Sequence, residues 1–109
     1  MTPQQVAQRQ LDAYNAHELD SFLACYHPQV EVYALPSRQL QYVGIEGMRE
    51  RYGPMFSKGE VHARLVSRIC VGNVVFDEED VSGIGIHNLH AVAIYEVENE
   101  QIRRIWFVK

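Results

Sequence analysis

QRQLDAYNAHELDSFLACYHPQVEVY, residues 8–33, changes period twice within a few turns of chain. Leu11 and Tyr14 continue a helical spacing that begins at Ala7, with Val6, Gln10 and Ala13 close to the same face. Just upstream, Thr2-Pro3-Gln4-Gln5 reads as a helix start. Thr2 caps, Pro3 suits the first helical position, and Gln5 stands three residues after the cap. Asn15-Ala16-His17 interrupts the pattern, and Glu18 to Tyr26 reads as a second, short helix burying Leu19, Phe22, Leu23 and Tyr26. From His27-Pro28 the period falls to two. Val30, Val32 and Ala34 take one side and Glu31, Tyr33 and Leu35 the other, until Pro36. The reading is two helices feeding a strand at about residues 29–35, with Val30, Val32 and Ala34 turned inward.

Beyond that strand, Ser37 to Val43 is polar and predicts a loop. Gly44 introduces a third helix at roughly Ile45 to Ser57, with Met48, Tyr52, Met55 and Phe56 on one face. Gly53-Pro54 inside it predicts a kink or a break. The rest reads as strands: Val61 to Val71, a tight turn at Gly72-Asn73, then Asn73 to about Val81. After a loop at Ser82 to Asn88 come Leu89 to Val97, a turn at Glu98-Asn99-Glu100, and Gln101 to Val108. Helices followed by hairpin-linked strands give an α+β order. A four-stranded curved sheet with helices on one face would leave one mouth open as a pocket.

The 109 residues fit one domain around one core, residues 1–109. A formal charge of −4, with ten Lys and Arg scattered along the chain, argues against nucleic acid as a partner. No apolar run approaches the roughly 20 residues of a membrane span. The N-terminal stretch is polar and lacks a signal-peptide apolar segment, so the expected location is the cytoplasm, with Cys25 and Cys70 reduced. No metal site is expected, since the five histidines form no HxxxH or HxH pair. No cofactor is expected either: there is no phosphate-binding Gly loop, and Gly83-Ile84-Gly85 is too short for a dinucleotide fingerprint.

Residues 8–33, GIEGMRERYGPMF (44–56) and AVAIYEVENEQIRRIWF (91–107) together resemble the nuclear transport factor 2-like superfamily, in particular its SnoaL-like and steroid delta-isomerase-like branch. The resemblance implies a cone: a bent mixed sheet wrapped on three N-terminal helices, enclosing an apolar pocket, and a homodimer through the sheet. In the isomerase branch a carboxylate base stands beside a carbon acid while two donors face the enolate oxygen. The first-helix tyrosine donor of that branch falls at Gln10. Its base, at the end of the first strand, falls at Ala34, and its buried aspartic-acid donor falls near Ala93. Neither alanine can take a proton.

The polar residues left over are therefore the candidates. Phe76-Asp77-Glu78-Glu79-Asp80 places poor strand formers between apolar runs. Alternation turns inward either Asp77 and Glu79 or Glu78 and Asp80. Matching Gly72-Asn73 to the family's turn favours Phe76, Glu78 and Asp80, which would make an acid/base pair. The plainer alternative is a solvated strand end at the cone rim. His90 shares a face with Val92 and Ile94, by the resemblance the dimer side, or else stands at the pocket mouth as a proton carrier. Tyr14, Tyr52, Phe56, Tyr95 and Phe107, with Val32, Ala34, Ala93 and Gln10, are the expected cavity walls. By the resemblance Arg103, Ile105 and Phe107 face the pocket. Arg103 would then pair with Glu78 or Asp80, unless it lies at the rim. Trp106, on the outer face, fits an interface anchor.

Two readings follow. One is a domain that binds a small apolar molecule, with no assignable activity. The other is a cofactor-free isomerase, cyclase or dehydratase whose acid/base work falls to Glu78, Asp80 or His90, with Gln10 and Tyr14 orienting an oxygen.

Overall fold

A computed structural model describes all residues, Met1–Lys109. The order is α1 (Pro3–Ala16), α2 (Leu19–Leu23), β1 (Tyr26–Leu35), β2 (Leu40–Val43), α3 (Gly44–Lys58), β3 (His62–Val71), β4 (Val74–Ser82), β5 (Leu89–Glu98) and β6 (Gln101–Val108). The strands form one curved, unclosed six-stranded sheet in the order β2-β1-β6-β5-β4-β3. Only β1 and β6 run parallel; every other pair is antiparallel. The helices lie against the concave side, and no helix is long and apolar enough to cross a membrane.

α1 starts as the sequence dictates. The Thr2 hydroxyl accepts from the Gln5 amide, and the Gln5 side chain accepts from the Thr2 amide. His17 ends the helix in a left-handed conformation and donates through Nε2 to the Val61 carbonyl at 2.6 Å. Asn15 accepts from the Ala63 amide and donates to the Ala63 carbonyl, at 2.8 and 2.9 Å. The helix-helix corner thereby satisfies backbone groups of β3, an edge strand of the sheet.

Three local expectations are corrected. α2 stops at Leu23, and Tyr26 already belongs to β1, where it is buried. Residues 40–43 are not loop but a short edge strand against Glu31–Tyr33. α3 runs unbroken through Gly53-Pro54. Pro54 and Glu50 both lie on the exposed face, so the Glu50 carbonyl that loses its donor can take one from water.

The core gathers 23 buried apolar residues. Its densest part is aromatic: Phe22 stands 4.8 to 6.0 Å from the rings of Tyr14, Tyr26, Tyr52 and Phe56. That cluster joins all three helices to β1.

β4 leaves the sheet through Gly83, at φ +83°, directly against the backbone of Glu60-Val61. A Cβ there would sit 1.9 Å from the Glu60 carbonyl oxygen, whereas one on Gly85 would meet nothing within 4 Å. Gly83→Ala is expected to cost at least about 2 kcal/mol in urea unfolding, and Gly85→Ala under about 0.5 kcal/mol. Equal stability of the two variants would contradict this packing.

Candidate functional site

β4 divides the acidic run between two faces. Val75, Asp77, Glu79 and Val81 point into the core, while Phe76, Glu78 and Asp80 point out. This reverses the orientation favoured by matching the turn, and Val75 and Val81 are the cause. They share the parity of Asp77 and Glu79, and burying them carries the two carboxyl groups inward.

The neighbouring strand adjusts to meet them. Leu65 lies opposite Glu79 and Ser67 opposite Glu78, so Val66 is an extra residue in β3. Ala63 and Leu65 face inward before this bulge; after it, the inward parity passes to Arg68. Arg68 binds Asp77 with two bonds, Nε to Oδ1 at 2.6 Å and Nη2 to Oδ2 at 2.9 Å, and its Nη1 donates to Gln8 Oε1 at 2.9 Å. Asp77 is fully buried, and the fork-shaped guanidinium satisfies it in a single geometry.

Glu79, one step along the same face, has no such partner. It is 7% exposed and its carboxyl makes no hydrogen bond to another protein group; since no fully buried polar atom lacks a partner, its oxygens keep access to open space. Burial, and then the charge of Asp77, push its pKa up from 4.5 to about 7, with Arg68 opposing. It opens onto a cavity of about 520 Å³ walled mainly by apolar side chains. Five tyrosines line that cavity, and the hydroxyls of Tyr14 and Tyr95 have no strong protein acceptor. Tyr95 OH has no protein partner, and Tyr14 OH reaches only the Met55 sulfur, a weak acceptor, at 3.8 Å. Burial and the charge of Glu79 hold Tyr14 at about 12 and Tyr95 well above its ordinary value, so both remain neutral donors.

Of the expected wall residues, Gln10, Tyr14, Val32, Ala34, Tyr52, Tyr95 and Phe107 line the cavity. Three others do not. Phe56 is buried in the aromatic cluster beneath it. Ala93 is buried opposite Asp77 in the β4–β5 register. Arg103 faces neither the cavity nor an acid: it donates to the Gln29 carbonyl at 3.0 Å and to His27 Nδ1 at 3.2 Å. The reason is a second irregularity. Glu96 pairs with Arg104 and Val97 with Ile102, which makes Arg103 the extra residue and turns both Ile102 and Ile105 inward. Gln10 is also less free than its position implied, since its amide oxygen accepts from Tyr26 OH at 2.8 Å.

Glu78, Asp80 and His90 come together, but on the outer face and away from the cavity. His90 bridges them, with Nδ1 at 2.6 Å from Asp80 and Nε2 at 2.9 Å from Glu78. Arg64 and Ser67 join the same patch. The hydrogen bond that His90 donates to Asp80 raises the His90 pKa, and the same bond lowers that of Asp80. This is a solvated ion-pair network on the sheet surface. The sequence reading singled out neither Arg51 nor Lys109, which also line the cavity. Charged residues at a helix surface and beyond the last strand carry no periodic signal that would mark them.

Several solved structures share this architecture. An uncharacterised cystatin-fold protein from Novosphingobium aromaticivorans superposes with a TM-score of 0.88 at 22% identity, covering 100% of this chain and 99% of that one. An NTF2-like protein of unknown function from Cytophaga hutchinsonii gives 0.78 at 17% identity, with coverages of 98% and 88%. A candidate polyketide cyclase from Sinorhizobium meliloti gives 0.80 at 13% identity, with coverages of 94% and 93%. No curated protein matches the sequence. A family profile, that of the SnoaL-like domain, matches residues 7–105, nearly the whole chain. The chain belongs to the SnoaL-like family, on the cystatin-like, nuclear transport factor 2-like fold.

Proposed function

We propose that the cavity binds a small, largely apolar molecule bearing a polar oxygen, and that Glu79 exchanges a proton with it without a cofactor. The observation that carries this reading is the place of Glu79: on the inner face of β4, with no protein group bonded to its carboxyl, on the wall of an apolar cavity where burial pushes its pKa up to about 7. Near that pH a carboxyl group is divided between acid and base, the condition general catalysis favours. As carboxylate it takes a proton from a carbon beside a carbonyl, and the C–H electron pair moves into the enolate. The hydroxyls of Tyr14 and Tyr95 supply donors to the enolate oxygen. The Glu79 acid then returns the proton at a neighbouring carbon, which is isomerase chemistry; in a cyclase the enolate carbon instead attacks a carbonyl carbon of the same molecule, the C=O pair moves onto its oxygen, and the Glu79 acid protonates that alkoxide. Binding alone is the second reading, favoured by the apolar walls.

The raised pKa has a consequence for stability. An acid whose pKa is higher folded than unfolded favours folding most at low pH. That contribution is fully present below about 4.5 and is lost as pH rises towards about 7. Glu79→Gln should therefore be more stable than the parent at pH 8, by up to about 3 kcal/mol, and no more stable near pH 4. Urea unfolding across that range reads the difference. Carbon-13 NMR of the Glu79 carboxyl should give a midpoint near 7 in the parent, and a midpoint below 5 would remove the basis for acid/base work.

The Arg68–Asp77 pair should be costly to break from either side. Arg68→Ala should lose about 3–5 kcal/mol by leaving a buried carboxylate unpaired. Where the variant still folds, Glu79 should titrate above its parental midpoint, because the opposing cation is gone while Asp77 remains. An unchanged midpoint would mean that the pair does not tune Glu79.

We also propose a homodimer through the outer sheet face. Phe76, Ile94, Trp106 and Tyr33 stand in register across β4, β5, β6 and β1, with Val92 next along β5. Trp106 stacks on Tyr33 at 6.0 Å, which offers a flat aromatic strip of the kind that anchors interfaces. Sedimentation should show a dimer that Trp106→Ala weakens by about tenfold or more in Kd; a parent that stays monomeric at high micromolar concentration would refute it.

A further inference from the structure

The cavity has a charge at each end. Glu79 is at the inner end, and Arg51 and Lys109, both exposed, mark the rim. Arg49, Lys58, Arg64, Arg68 and Arg104 each reach a carboxylate. Arg9, Arg38, Arg51, Arg103 and Lys109 do not, and of these five only Arg51 and Lys109 line the cavity. They line the same cavity and interact by charge: partial burial, and then the charge of Arg51, lower the Lys109 pKa. Lys109 Nζ hangs 5.8 Å over the ring of Phe107, itself a wall residue. Two cations that repel at the mouth of a mainly apolar cavity, neither held by a carboxylate, make a site that an anion would complete.

The residues between the ends fix the direction of a ligand. The Tyr14 hydroxyl feels both charges: Glu79 raises its pKa and Arg51 lowers it. Glu79 itself responds to Asp77 and Arg68, not to Arg51. Tyr14 and Glu79 are buried wall residues while Arg51 and Lys109 are exposed ones, so the cavity runs from a charged, exposed rim to a buried interior. The charge of Arg51 also opposes the rise in pKa that burial gives Tyr42 and Tyr52, two further wall residues whose hydroxyls lie 3.4 Å apart.

We infer that the cavity takes an apolar acid, whose carboxylate is held at the rim by Arg51 and Lys109 while its apolar body runs inward past Tyr14 towards Glu79. This rests on the reading that the cavity holds a small molecule, and it adds the chemical class. The polarity also sets which end can react: like charges keep the carboxylate head away from the inner end, so the uncharged part of the ligand is the part delivered to Glu79.

Calorimetric titration of the intact chain with 1-naphthylacetate and with its uncharged methyl ester tests the inference. The acid should bind about tenfold or more tightly than the ester, since a charge-assisted pair in a partly desolvated site is worth at least that factor. Added salt should erode the preference. Arg51→Gln with Lys109→Gln should bring acid and ester to within about twofold, and Arg51→Lys with Lys109→Arg should restore the preference. If the ester binds as tightly as the acid, or the preference survives the double Gln substitution, the acid assignment is overturned and the small-molecule cavity stands. If neither compound binds the parent, both fall.

Discussion

One buried ion pair governs the geometry of the rest. Asp77 is fully enclosed, and only the two-pronged contact from Arg68 makes that tolerable. A carboxylate left alone in such a place costs several kcal/mol, a large share of what a domain of this size has in total. The pair exists because β3 carries one residue too many at Val66. Without that bulge, Arg68 would follow the parity of Val66 and face water. With it, Arg68 meets Asp77 directly across the β3–β4 hairpin and reaches on to Gln8 of α1. A local irregularity in one strand thus ties a hairpin to a helix. The same pair supplies the field around Glu79, with Asp77 pushing its pKa up and Arg68 holding the rise in check.

The cavity beside it has an equally physical origin. Ala34, Ala63 and Ala91 present only a methyl group to the concave side of a curved sheet, and the space they leave is not refilled by the helices. The aromatic cluster around Phe22 explains why. It packs ring against ring at the helix junction, fixes where α1 and α3 stand, and keeps them from settling onto the alanines. Tyr14 and Tyr52 belong to both structures, one edge in the cluster and one in the cavity wall. Rigid packing on one side and small residues on the other hold open a space that hydrophobic collapse would otherwise close.

Regular periodicity was readable from the sequence, and its interruptions were not. The capped first helix, the inward faces of Val30 and Val32, the α+β order and the hairpin turns all follow from spacing. The errors fall mainly where a strand breaks its own alternation. A two-residue period extended through Arg103 sends Ile102 outward, yet the β6 bulge turns it in. On β4 the alternation holds, and the information was present in Val75 and Val81. Matching the Gly72-Asn73 turn to the family's points the other way. Burying the two valines leaves Phe76 outward, where the sheet's outer face accommodates it within its own apolar strip. Residues 40–43 illustrate a different limit: a short exposed edge strand gains its order from its partner β1, and little in its own composition announces it.

The three positions that the resemblance matches to the isomerase site follow from the same packing. Gln10 is occupied as an acceptor for Tyr26, so a buried hydroxyl finds its partner inside the core. Ala34 contributes space. Ala93 lies directly opposite Asp77 on the next strand. A carboxylic acid there would place a third acid beside Asp77 and Glu79, and would crowd the side chain that Arg68 must reach. The acids of this chain stand one strand over, on β4, where β3 can supply an arginine. A buried carboxylate needs a cation within reach, and in this sheet only the edge hairpin, with its extra residue at Val66, brings one to the inner face. The position of the acidic wall follows from where the counter-charge can be delivered, so an acid on β4 and an alanine at position 93 are two results of the same constraint.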